Sequence, residues 1–264
     1  MRIFHILTIC LFTFCSSISA TLAQTQTIAH RGYWQTEGSA QNSLASLQAA
    51  ERLGLFGAEC DVYLCADGEL MVFHDPTVTI DGQEKRIEET SSSVLKTFTL
   101  KNGETMPTFD QYLQTLKACP TIRLIIELKS QSLSEKQQTE LAQKILHKVQ
   151  QAGLSDRVEY IAFNLRLCQE VHRLDPEAQV AYLNGDLSPQ QIKALGLTGL
   201  DYHIDIYKAH PQWIREAREL GLKSNVWTVN QPEDLQYFLE QGVDYITTDR
   251  PDLLQSMLQE TSVR

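Results

Sequence analysis

Short β-rich runs alternate with longer amphipathic stretches along most of the chain. Continuous or alternating apolar positions predict main strands near residues 25–30, 57–62, 122–128, 158–162, 179–183, 200–204, 223–229 and 244–247. Apolar positions three and four apart predict helices over Ser43–Leu53, Ser134–Gln151, Cys168–Leu174, Pro189–Leu195, Pro211–Leu220 and Glu233–Gln241. The helices before Gly153 and Gly221 end on glycine, the residue that most readily takes the left-handed C-terminal conformation. Eight βα units at about 30 residues each match one α/β domain of the (β/α)8 TIM-barrel class. A doubly wound open sheet has the same alternation, and periodicity alone does not separate the two.

One irregularity interrupts the repeat. Asp61–Ala66, the turn Asp67-Gly68 and Glu69–His74 read as strand, tight turn, strand. The polar segment from Asp75 to Thr108 lacks helical periodicity over much of its length and reads as an insertion after the second strand. An excursion of that size at a barrel mouth shapes access to a site.

The N-terminus breaks the pattern differently. Met1-Arg2, an apolar run from Ile3 to Phe14 and the small-residue stretch Ala20–Ala23 have the layout of a secretory signal peptide over residues 1–23. The run is short for a membrane span, so the mature chain, residues 24–264, is expected to be exported to the periplasm or secreted, without stable membrane insertion. Phe12-Thr13-Phe14 before Cys15 is a poor match to a lipidation site. The net charge of −10 excludes a general attraction to nucleic acid or anionic membrane, which rests on Lys and Arg; an acidic substrate must be held by local cations. Cys60, Cys65, Cys119 and Cys168 have neither zinc-site nor CxxC spacing and read as free thiols, although an exported chain can form disulfides.

Chemistry-bearing residues collect at strand ends. Ile28-Ala29 runs into His30-Arg31-Gly32, an acid–base group beside a fixed cation, which suits a phosphate. Glu59 and Asp61, two apart on a strand, share a face and repel unless a cation joins them, and two oxygen ligands favour a hard metal ion. The hairpin folds His74-Asp75 back toward that pair. Glu127 and Lys129 end an apolar strand and supply a third oxygen ligand and a second phosphate-directed cation. Trp227, within Val226–Asn230, and Thr248–Pro251 end the last two strands. In a barrel all of these fall on the catalytic face. His203 and Asp205, near the end of the sixth strand, receive no role.

His30-Arg31-Gly32, Asn42-Ser43, Glu59-x-Asp61-Val62, Asp67-Gly68, His74-Asp75, Glu127-Leu128-Lys129, Val226–Asn230 and Thr248–Pro251 occur in an order and spacing that resembles the glycerophosphodiester phosphodiesterase family over nearly the whole mature chain. The resemblance implies a (β/α)8 barrel that hydrolyses small-molecule glycerophosphodiesters to glycerol 3-phosphate and an alcohol with one divalent cation, Ca2+ or Mg2+. It implies Glu59, Asp61 and Glu127 as metal ligands, His30 and His74 as the acid–base pair, and Arg31 and Lys129 as phosphate contacts; Trp227, as an aromatic wall at a strand end, would pack on the glycerol carbons. Asp75 beside His74 favours His74 as acid and His30 as base. One departure is Ala40-Gln41-Asn42, where the family has Pro-Glu-Asn, so a carboxylate is missing near the mouth. A lysophospholipid- or phosphoinositide-directed relative shares almost every one of these motifs, and a non-catalytic phosphate-binding protein would not need both histidines.

Overall fold

The computed structural model describes residues 25–262, so the signal sequence expected in residues 1–23 lies outside the described residues. In chain order the first elements are β1 (Gln26–Ala29), α1 (Leu44–Arg52), β2 (Gly57–Leu64), β3 (Leu70–Val72), β4 (Thr77–Ile80), β5 (Gln83–Arg86), α2 (Ser92–Leu95) and α3 (Phe109–Lys117). Then follow β6 (Arg123–Leu128), α4 (Glu135–Ala152), β7 (Val158–Ala162), α5 (Leu165–Leu174), β8 (Val180–Tyr182), α6 (Pro189–Ala194) and β9 (Gly199–His203). The chain ends with α7 (Ile204–Ala209), α8 (Gln212–Glu219), β10 (Lys223–Trp227), α9 (Pro232–Gln241), β11 (Tyr245–Thr248) and α10 (Pro251–Ser262).

Eight of these strands, β1, β2 and β6 to β11, pair in parallel, and the ring closes because β1 pairs with both β11 and β2 (Gln26 opposite Tyr245, Ile28 opposite Gly57). Closure excludes the open sheet. The eight strands fall where the apolar runs predict them. Strand alternation sorts the side chains: Leu200 and Tyr202 on β9 join the core between barrel and helices, which leaves Asp201 and His203 facing inward. Ile28, Ile125, Ile161 and Leu183 fill the barrel interior beneath the mouth. Helix ends follow from local chemistry: Ser134 and Gln137 form a reciprocal cap on α4, and Gly153 stops it at φ 69°.

The hairpin forms as expected, with Val62 opposite Val72 and Gly68 at φ 79°. The excursion is more ordered than its polar composition implies. β4 and β5 pair around Asp81-Gly82, both at positive φ, and Val78, Ile80, Ile87, Leu95 and Met106 pack on Tyr63 and Met71 as a satellite core. Its strands have four residues each and β5 is polar, so alternation is too brief to register. Helices α3, α7 and α10 are likewise absent from the sequence-based reading. All four described cysteines are free and buried. No described helix is long and apolar enough to cross a membrane.

Candidate active site

β1 delivers His30 to the barrel mouth, and the chain then reverses through Arg31 at φ 56° and Gly32 at φ 75°. Left-handed backbone at a non-glycine residue is uncommon and costs about 1–3 kcal/mol, so the surrounding structure must enforce it. Gly32 is required sterically as well: a Cβ there would lie 2.3 Å from Ser46 Oγ. The reversal aims the Arg31 N–H at Glu59 Oε2, 2.8 Å away. The Arg31 guanidinium donates to Gln41 Oε1 at 2.8 Å, while its Nε is buried without a partner. Arg31 is therefore held by the neutral amide of Gln41, where the resemblance implies a carboxylate.

Glu59, Asp61 and Glu127 present ligand oxygens within 4.8 Å of one another, all from buried residues. Lys129 Nζ sits 2.9 Å from Glu127 Oε1 and 3.3 Å from Asp61 Oδ1, and Asn42 donates to Asp61 Oδ2 at 2.8 Å. Burial, then the negative charges of Asp61 and Glu127, push the Glu59 carboxyl well above its ordinary range. Burial and Asp61 push Glu127 up to about 7, against the pull of Lys129. Burial also acts on Asp61, but Lys129, His74, Asn42 and Arg31 more than offset it and hold that carboxyl below its usual value. Glu59 Oε1 is buried without a hydrogen-bond donor, and Asp61 Oδ1 has only the Lys129 ammonium at 3.3 Å. Orphaned carboxylate oxygens cost free energy unless a cation joins them, so the donor set fits a hard divalent ion.

Two imidazoles face this cluster. His30 Nδ1 pairs with Asp249 Oδ1 at 2.9 Å, and Asp249 also accepts from Trp34 Nε1 and Asn230 Nδ2. Burial would raise the Asp249 carboxyl, but these three donors more than offset it and keep it ionised below the usual range. His74 Nδ1 lies 2.7 Å from Asp75 Oδ1. Burial lowers the His74 pKa, and Asp61 and Asp75, which favour the protonated ring, only partly oppose this.

His30, Arg31, Glu59, His74, Glu127, Lys129 and Trp227 line one open cavity of about 530 Å3, and Asp61 lies behind it within the carboxylate cluster. Trp227 is fixed by its Nε1–H donating to the Asp201 carbonyl oxygen at 2.9 Å, and Phe163 meets it edge-on at 5.5 Å. Phe163, 44% exposed, is the exposed large apolar side chain among the described residues. His203 accepts from the Asp205 N–H at the start of α7 and packs edge-on to Trp227, a capping and packing role. Five further residues escaped the sequence-based assignment of roles: Asn42, Phe163, Asp201, Thr247 and Asp249. Strand alternation marks Asp201 as inward-facing, whereas the partners of Asn42 and Asp249 come from distant strands.

A glycerophosphoryl diester phosphodiesterase family model matches residues 30–253. The chain is 45% identical to a glycerophosphodiester phosphodiesterase from Parabacteroides distasonis, whose crystal structure superposes with a TM-score of 0.87 over 90% of this chain and 98% of that one. It is 26% identical to the glycerophosphodiester phosphodiesterase of Caldanaerobacter subterraneus subsp. tengcongensis, covering 90% of this chain and 99% of the relative. A phosphodiesterase from Oleispira antarctica, solved in complex with the product sn-glycerol-3-phosphate, matches with 25% identity and a TM-score of 0.76, over 89% of this chain and 97% of that one.

Proposed function

The chain belongs to the glycerophosphoryl diester phosphodiesterase family, enzymes that hydrolyse phosphoric diesters, and from that premise we propose that it cleaves glycerophosphodiesters to glycerol 3-phosphate and an alcohol by metal-dependent His/His acid–base catalysis. The observation that carries the proposal is the convergence, on one cavity, of two carboxylate-paired imidazoles, two cations and two carboxylates of a buried cluster of three. Product binding in the Oleispira relative is consistent with a small-molecule substrate of this kind.

Glu59, Asp61 and Glu127 would hold one divalent cation, Ca2+ or Mg2+. Bound there, the ion would draw charge from the phosphate oxygens. Arg31 and Lys129 supply positive charge to the same phosphate; the unpartnered Arg31 Nε is a donor awaiting an anion. His74, which burial keeps neutral, takes the proton of the attacking oxygen, from water or the neighbouring glycerol hydroxyl. His30 protonates the departing alkoxide, and the ionised Asp249 stabilises its imidazolium and fixes the ring with Nε2 toward the cavity. This order reverses the one expected from Asp75. Trp227 and Phe163 wall the carbon skeleton.

Replacing His30 or His74 by alanine in the purified protein tests the catalytic assignment through release of glycerol 3-phosphate from glycerophosphocholine. Each variant is expected to lose about 100-fold or more in kcat; full activity in either would remove that histidine from the mechanism. Export is part of the proposal, supported by the basic start, apolar run and small residues of positions 1–23. N-terminal sequencing of the mature protein tests it: a start at Gln24 supports export, and an intact Met1 contradicts it.

A further inference from the structure

The barrel interior beneath the mouth is divided. On β1, β6 and β7, and directly after β8, the inward side chains are Ile28, Ile125, Ile161 and Leu183, an apolar set. On β9, β10 and β11 they are Asp201, Asn225 and Thr247, all buried. Asn225 lies opposite Asp201 in register and pairs with Thr247, Nδ2 to Oγ1 at 2.9 Å. Polar residues at this depth cost free energy unless their bonds are completed, and one is incomplete: Asp201, only 2% exposed, has a buried Oδ1 with no partner. Asp201 and Thr247 both line the cavity that holds His30, His74 and the two cations.

We propose that Asp201, supported by Asn225 and Thr247, is a hydroxyl-recognition subsite on the floor of the active site that binds the free hydroxyls of the glycerol half of the substrate. The inference rests on the hydrolase reading above for the identity of that half. The chemistry selects hydroxyls over cations or anions. Asp201 is flanked across the sheet by the neutral amide of Asn225, which in turn pairs with Thr247, and burial pushes its carboxyl up to about 8 despite a hydrogen bond from Asn225, so near neutral pH it is predominantly a neutral acid that both donates and accepts. Arg31 and Lys129 line the same cavity and take the phosphate, so a ligand anchored there turns its carbon chain to Trp227 and its hydroxyls to Asp201 and Thr247. Because Trp227 is tied to the Asp201 carbonyl oxygen, substitution of the side chain leaves that anchor in place.

The test compares binding of sn-glycerol 3-phosphate and of inorganic phosphate, by calorimetry in one buffer, to the wild-type protein, Asp201→Leu and Asp201→Asn. The wild type is expected to prefer glycerol 3-phosphate. Asp201→Leu should lose about tenfold or more of that preference, as expected when a buried hydrogen-bonding partner is removed, while phosphate affinity stays within about twofold. Asp201→Asn, which keeps a donor and an acceptor, should retain most of it. Asp201→Leu should also melt higher than the wild type, because it removes a buried carboxyl whose Oδ1 has no partner, and this shows that the variant folds. An unchanged preference in Asp201→Leu, equal loss of both ligands, or no wild-type preference would overturn the proposal. If the selective loss is seen but the wild type cleaves no glycerophosphodiester, the subsite stands and the hydrolase reading fails.

Discussion

His30 Nδ1 lies 2.9 Å from Asp249 Oδ1, a bond between the ends of the first and last barrel strands across 219 residues of sequence. Barrel closure makes it: β1 and β11 are neighbours, and the His30 N–H also donates to the Thr248 carbonyl oxygen at 3.0 Å. Replacing Asp249 by asparagine keeps the shape but removes the charge that steadies an imidazolium. The variant is expected to lose on the order of 10²–10⁴ in kcat with a smaller change in KM. An unaltered kcat would show that Asp249 is a structural cap alone.

The carboxylate cluster makes stability depend on pH in a defined direction. Glu127 is raised from an ordinary 4.5 to about 7, and Glu59 is raised too, so the folded protein holds protons that the unfolded chain has released. Their contribution is fully present below about pH 4.5 and is lost as pH rises through about 7. The melting temperature of chelator-treated protein should fall over that interval. Added Ca2+ or Mg2+ should raise it most at the upper end, where the cluster is ionised. A melting temperature that climbs through the interval without metal, or ignores both ions, contradicts the metal-site assignment.

Gly32→Ala tests the reversal that follows His30. Its Cβ would meet Ser46 Oγ at 2.3 Å in a left-handed backbone. Destabilisation of about 2 kcal/mol or more is expected from denaturant unfolding. Activity should fall too, because the same turn aims the Arg31 N–H at Glu59. A variant as stable and active as the wild type would mean that the reversal is not constrained.

Gln41→Glu would give Arg31 a charged partner in place of the amide at 2.8 Å. Part of its positive charge would then be neutralised, and affinity for inorganic phosphate should weaken by roughly three- to tenfold. Calorimetric titration reads this directly; tighter phosphate binding would reverse the reading of Gln41.

The barrel and most of its site were legible because strand periodicity and local spacing report on them. Glu59 and Asp61 share a face by alternation, and Asp67-Gly68 marks the turn that returns His74. What escaped depends on long-range closure. Asp249 reaches His30 between strands whose adjacency only the closed sheet establishes, and Asn42 reaches Asp61 from the loop before α1 to the next strand. The balance of influences on His74 is hidden from the sequence for a different reason. A neighbouring carboxylate is visible in sequence, whereas the burial that outweighs it at His74 is not. The satellite core of the excursion escaped because its strands are too short for alternation to stand out.

The most direct test is release of glycerol 3-phosphate from glycerophosphocholine by the purified protein, with chelator and with Ca2+ or Mg2+ restored. The account predicts turnover that stops on chelation and returns with at least one of the two ions. Turnover indifferent to chelation would contradict the metal-dependent mechanism, and no turnover of this or any other glycerophosphodiester with either ion would contradict the proposed function itself.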